Sequence, residues 1–294
     1  MTVREESLTV TAADGFELAA TAFLPEVPKA SVLLSSGTGF PKEYYARLAR
    51  AGAERGFAVL TYDYRGIAGS VPASGLKGFG ADMLDWGRLD MTAAGEAAMA
   101  LVPGKPFFTL GHSVGGHLVG FSPIGLNAAG HAFLNVGSGY WGKSAWHYRP
   151  MALFFWLVYG PACLALKGYI PGGGAWGGTA LPRHVYTLWR QWCFKPGYFG
   201  EVLDDLAPHY FDQIQAPIQS WGVMDDPIAN PRTTPDILKL YSSAPKQEIW
   251  LRPADHGLRN IGHQGLMRRR SAAIWPQIYA GFENVIADGA LRAP

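Results

Sequence analysis

The chain of 294 residues contains only two cysteines, Cys163 and Cys193. Two thiols exclude a disulfide framework and a four-thiolate metal site. No H-E-x-x-H run and no paired-cysteine spacing occurs, so neither a metal nor a cofactor is implied. Net charge is scarce as well: 25 Lys and Arg against 23 Asp and Glu leave +2. So small a balance gives no basic footprint for nucleic acid. Charged residues are only 16% of the chain and hydrophobic ones 48%, which excludes a disordered polymer and leaves one large core, with or without an inserted subdomain. The opening "MTVREESLTV" has no signal-peptide character, and a cytoplasmic location is the expectation. No repeat of solenoid length is visible.

A long hydrophobic run is nearly absent. "MALFFWLVYGPACLAL", residues 151–166, falls short of the roughly 20 residues that span a bilayer. Gly160-Pro161 interrupts it, so a buried or interface-facing helix pair is expected rather than a membrane span.

Acids are absent over a long stretch: none lies between Glu96 and Glu201. Within that gap, residues 137–200 hold 16 of the 38 aromatic residues and six cations, Lys143, Arg149, Lys167, Arg183, Arg190 and Lys195. Gly/Pro-rich links such as "GYIPGGGAWGGTALP" join its apolar pieces. This stretch reads as an inserted aromatic, basic cap (137–200) in a core formed by 1–136 and 201–294. Tyr140, Trp141, Trp146, Trp189 and Trp192 are its candidates for lining a pocket, with ordinary packing as the alternative for each. A cap of this composition could also rest on anionic lipid as a peripheral contact.

The core reads as strand–helix alternation. "SLTVTA" and "FELAATAFL" pair through a turn at "ADG" (13–15). "ASVLLSS" (30–36), "FAVLTYDYRG" (57–66), "PFFTL" (106–110), "HAFLNV" (131–136), "APIQSWGV" (216–223) and "KQEIWL" (246–251) are further apolar strands. Helical spacing falls between them at 44–56, 83–101, from Val114, near 233–241 and at 271–287. The fold class is α/β: a mostly parallel central sheet with helices on both faces.

"GHSVGG" (111–116) follows the strand "PFFTL" and precedes a helix. G-x-S-x-G in that context is a nucleophile elbow, whose strained turn needs small neighbours at Gly111 and Gly115. Ser113 is the candidate nucleophile; an idle serine in a glycine-rich turn is the alternative. A serine hydroxyl needs a base, and in this arrangement the order is serine, acid, histidine. The acid belongs after a late strand, where "SWGVMDDPIAN" offers Asp225 and Asp226. The histidine belongs after the last strand: His263 in "NIGHQG", whose preceding glycine permits close approach, or His256 in "ADHG". One oxyanion donor is the Val114 amide at the helix start. The second belongs to the loop "SSGTGF", from Thr38 or Phe40. "GSGYWG" (137–142) matches a dinucleotide fingerprint, but no acid follows before Glu201, so that reading is rejected.

With "YDYRGIAGS" (62–70), "GHSVGG", "DDPIA" (225–229) and "GHQG" (262–265) in this order, the chain resembles the α/β-hydrolase superfamily. It resembles more closely an uncharacterised bacterial family of predicted α/β hydrolases, through "GSGYWG", "GYIPG" (168–172), "LPRHV" (181–185), "RQWCFKP" (190–196) and "IGHQGLMRR" (261–269). The resemblance covers most of residues 15–285. It implies the α/β-hydrolase fold, a Ser113–Asp226–His263 triad (Asp-Pro being the usual setting of the acid there) and an esterase-like or lipase-like serine hydrolase. Ser36-Gly37 stands where that superfamily often has His-Gly, and Pro231 where it often has an earlier proline. Expected, then, is a serine hydrolase of carboxylic esters with an apolar group. A thioesterase, amidase or acyltransferase with the same residues, or a non-catalytic lipid-surface protein, are the alternatives.

Overall fold

Strands that read as unbroken apolar runs have to be covered on both faces. In the computed structural model, which describes residues 2–292, β3 (Ala30–Ser35), β4 (Phe57–Tyr62) and β5 (Phe107–His112) are buried at every position. The sheet has eight strands in the order β1-β2-β4-β3-β5-β6-β7-β8. β1 (Val3–Thr11) and β2 (Glu17–Pro25) form an antiparallel hairpin, and β2 joins β4 antiparallel. From β4 onward all pairs are parallel, through β6 (Gly130–Leu134), β7 (Ile218–Val223) and β8 (Lys246–Leu251). Parallel strands all deliver their C-terminal ends to one edge, where ligands of open α/β sheets bind.

Alternation along the strands divides the core into two layers. Val32, Leu34, Val59 and Leu110 face the helices Ala46–Glu54 and Trp275–Arg292, against Leu48, Ala49, Ile278 and Phe282. Leu33, Leu60, Tyr62 and Phe133 face the other way. That second layer is continuous with Trp156, Val185, Tyr186 and Trp192 from the segment between β6 and β7. This segment therefore shares the core's apolar interior.

Two local expectations need correction. After Ser113 only Val114–His117 is α-helical before a 3-10 turn, Leu118–Phe121. Gly115, Gly116 and Gly120 lower helix propensity there. Gly160-Pro161 does not divide its apolar run: one helical body runs from Arg149 to Lys167. A π-helical turn, Phe155–Tyr159, lies just before the proline. Its wider winding accommodates a residue with no N–H. The loosened carbonyls find side-chain donors: Tyr186 Oη donates to Trp156 O at 2.8 Å and Arg190 Nε to the same oxygen at 2.9 Å.

Candidate active site

Ser113 sits at the C-terminal end of β5 with φ +52° and ψ −117°, a strained conformation for a residue with a side chain. The turn is tight enough to need its glycines. A Cβ on Gly111 would lie 2.5 Å from the Gly115 carbonyl carbon, and one on Gly115 would lie 2.4 Å from Ser35 O. The Ser113 N–H donates to Leu134 O at 3.0 Å, which ties the turn to β6.

His263 Nε2 lies 3.0 Å from Ser113 Oγ, and His263 Nδ1 lies 2.7 Å from Asp226 Oδ2. A carboxylate only accepts, so Nδ1 carries the proton and Nε2 is free to accept from the serine. Asp226 is 3% exposed and fully engaged. Its Oδ1 accepts from Ile228 N (2.8 Å) and Ala229 N (3.0 Å), and its Oδ2 also accepts from Asn135 Nδ2 (2.7 Å). The other candidate acid, Asp225, points elsewhere. Its two oxygens accept from Ile261 N (3.0 Å) and Gly262 N (2.9 Å), so it holds the loop that carries His263. His256 lies in a separate 3-10 turn, Pro253–His256, and the imidazole at Ser113 is that of His263.

His112, immediately before the serine, links three parts of the site. Its Nε2–H donates to the His263 carbonyl at 2.9 Å, its Nδ1 accepts from Tyr45 Oη at 2.7 Å, and Tyr45 Oη accepts from Gly37 N at 2.8 Å. Burial, with the nearby His263, drives its pKa down to about 3, so it stays neutral and keeps these roles distinct. One turn on, His117 donates from Nε2 to Gly137 O at 2.9 Å, and burial lowers its pKa to about 4. Neither partnership has a sequence signature, because each forms between segments distant in the chain.

Thr38 and Val114 line the cavity beside Ser113. The neighbouring amides are occupied: Gly37 N–H by Tyr45, and Phe40 N–H by Gly37 O at 3.2 Å. Phe40, the alternative donor, instead presents its side chain to the cavity. Among the described residues no three His, Cys, Asp or Glu side chains gather to hold a metal ion.

The cavity measures about 510 Å³. Of the five aromatic candidates, Trp189 lines it. Tyr140, Trp141, Trp146 and Trp192 do not. Trp192 is packed among Phe121, Tyr198 and Phe199, Trp141 lies near Phe194, and Trp146 points into solvent. The lining comes instead from Tyr148, Phe155, Trp156, Trp176 and Tyr198. The spacing of Ala152, Phe155 and Trp156 on one helix face is the signal that could have identified part of it.

Trp176 also fastens the insertion to the Thr38 loop. Gly39, at φ +75°, lies so close beneath the indole that a Cβ there would be 2.3 Å from Trp176 Cζ2. Thr179 N and Oγ1 both donate to Gly39 O, at 2.8 and 3.1 Å.

Residues 26–123 match the family model described as serine aminopeptidase, S33. No match was found among the curated proteins. Among solved structures, the chain is similar to a soluble variant of monoglyceride lipase from Saccharomyces cerevisiae in complex with a substrate analogue: 16% identity, 97% of this chain and 96% of that one, TM-score 0.68. It is also similar to a thermostable carboxyl esterase from Bacillus coagulans, at 15% identity, 98% and 99% coverage and TM-score 0.65. A third is a membrane phospholipase A described as a bacterial virulence factor, at 17% identity, 99% and 87% coverage and TM-score 0.57. The chain has the α/β-hydrolase fold.

Proposed function

We propose that this α/β-hydrolase-fold chain is a serine hydrolase that cleaves carboxylic esters bearing an apolar group. The observation that carries this reading is the continuous hydrogen-bonded chain Asp226–His263–Ser113 opening into an aromatic cavity. Ser113 Oγ attacks the ester carbonyl while His263 Nε2 takes its proton. Asp226 holds the imidazole in the required tautomer and stabilises the imidazolium. The Val114 and Thr38 amides hold the negative oxygen of the tetrahedral adduct. His263 returns the proton to the departing alcohol and leaves an acyl-serine. Water, deprotonated by His263, attacks that acyl group and frees the acid.

The apolar group occupies the wall formed by Phe155, Trp156, Trp176 and Trp189. The lipase and esterase neighbours favour an ester. The aminopeptidase family model spans only 26–123, and amide cleavage uses the same groups, so an amide belongs in the test panel.

Fluorophosphonate labelling with peptide mass spectrometry tests the reading without a guess at the substrate. The expected adduct is on Ser113 and is lost in Ser113→Ala and His263→Ala. Esters, thioesters and amides of graded chain length then identify the leaving group and acyl size. Folded wild-type protein that resists both the fluorophosphonate and a short sulfonyl fluoride would overturn the enzyme reading.

A further inference from the structure

The helix Arg149–Lys167 has two apolar faces, and the protein covers only one. Its inner face supplies Ala152, Phe155 and Trp156 to the cavity wall. Its outer face is formed by Met151, Phe154, Leu157, Val158, Pro161, Ala162, Ala165 and Leu166, all exposed and none of them polar. Leu166 is 85% exposed and Val158 55%, and Trp146, just before the helix, is 81% exposed. Surface helices of water-soluble proteins normally turn a polar face outward. A contiguous apolar surface of this kind marks an interaction site.

The charges at its ends narrow the choice of partner. Arg149 and Lys167 terminate the helix, Lys77 packs against Gly168, and Arg183 Nη2 donates to Leu164 O at 2.7 Å. The chain has no acid from residue 97 to residue 200. An apolar strip bordered by cations complements a bilayer with anionic headgroups: the side chains enter the acyl boundary and the cations meet phosphates. A second copy of the chain fits less well, because an antiparallel pairing of two such helices sets cation against cation at both ends.

We infer that the outer face of Arg149–Lys167 docks the protein on an anionic membrane surface, with the helix lying flat in the interface. The helix does not cross the bilayer. Tyr186 and Arg190 donate to its inward carbonyls, and Trp156 and Phe155 pack on Tyr186 and Trp189, so insertion would dismantle that side of the cavity. Met151 belongs to both the exposed face and the cavity lining, which puts the mouth of the cavity at the membrane level.

Docking is independent of the hydrolase reading, and its test needs no turnover. Full-length Ser113→Ala protein is co-sedimented with vesicles of phosphatidylcholine containing about a third phosphatidylglycerol, and with phosphatidylcholine alone. Expected is binding to the anionic vesicles that weakens about 10-fold or more without phosphatidylglycerol or in high salt. Leu157→Glu with Val158→Glu should weaken it again by at least about 10-fold. Both positions are already exposed, so circular dichroism should be unchanged. A control pair of exposed positions just ahead of the N-terminal ends of β3 and β6, Val27→Glu and Leu126→Glu, should bind like the parent. No binding to anionic vesicles, or equal binding by the Leu157/Val158 variant, overturns the inference. Association that resists alkaline carbonate extraction would indicate a crossing helix and overturn it. So would a dimer in sedimentation equilibrium that the same two substitutions abolish.

Discussion

The strand ends and the insertion build one cavity by different physical means. At the strand ends the side chains around Ser113 are held by specific hydrogen bonds. Asp226 accepts four hydrogen bonds, His112 bridges Tyr45 to the His263 loop, and Asp225 anchors two amides of that loop. In the insertion, Phe155, Trp156, Trp176, Tyr186 and Trp189 meet ring against ring, and their polar contacts serve mainly to satisfy the backbone. A hydrogen-bonded array has one geometry and fails when one member is lost. A packed aromatic wall depends on volume and shape, and substitution alters which molecules fit. On the proposed reading, the strand ends would govern whether a bond is cleaved, and the insertion which one.

The largest expected difference falls between two adjacent acids. Asp226→Asn should lower kcat by about 10⁴-fold, because the amide favours the wrong tautomer of His263. Asp225→Asn keeps an acceptor for one of its two amides and should lose roughly 10- to 100-fold through displacement of the loop. Equal losses would mean that the loop anchor and the acid share one role. His112→Phe should cost about 100-fold, carried by kcat rather than KM, because the His263 carbonyl and the Tyr45 hydroxyl both lose their partner. His112→Gln restores a donor and should recover part of that loss. A change confined to KM would place His112 among groups that only shape the pocket. Steady-state kinetics on one ester measures all four variants.

The insertion should respond in substrate choice. Trp176→Ala removes a cavity wall and the cover over Gly39. It should reduce the preference for long over short acyl esters by about 10-fold in kcat/KM. A uniform loss across chain lengths would instead mean that Trp176 acts by positioning the Thr38 loop, and that the division between the two regions fails at this contact.

These differences also explain what the sequence discloses. The serine turn is legible because backbone strain requires glycines at fixed offsets, and a strand and helix start flank them. His263 is legible because Gly262, at φ +64°, allows the approach. Asp225 and Asp226 are ambiguous in sequence because both follow β7; only the fold reveals that one meets the imidazole and the other the loop amides. Asn135, Tyr45 and the partner of His112 leave no local pattern. The wall of the cavity is least legible. Counting tryptophans does not tell which way each faces: of the candidates, Trp146 points into solvent and Trp192 packs in the core. Pro161 suggested a helix break because proline normally makes one, and the preceding π turn absorbs it.

Acid should separate the two regions last and most gently. His112, His117 and His131 are all buried in the core, and burial lowers their pKa values to about 3, 4 and 3. The histidines of the insertion, His147 and His184, are exposed. An unfolded histidine titrates near 6.5, so between that pH and about 4 the unfolded chain binds protons that the folded core refuses. More protons on the unfolded side mean that stability is complete above about 6.5 and falls as pH drops. Each group contributes up to about 1.4 kcal/mol per pH unit in that window. Burial raises the pKa values of Asp63 and Asp90 to about 6 and 7, so these two carboxyls oppose the three histidines in this window. Three depressed groups outweigh two raised ones, so urea midpoints between pH 7 and 4.5 should decline, and His131→Leu, which leaves Ser113, His263 and Asp226 untouched, should make the decline shallower. His131 is the informative choice: among the described residues its ring has one hydrogen-bond partner, Thr109 Oγ1, so the substitution removes a refused proton and leaves one buried hydroxyl without that partner at every pH, which shifts the midpoints but not their slope. An unchanged slope in that variant would assign acid sensitivity to the carboxylates, and the buried histidines would no longer distinguish the core from the insertion.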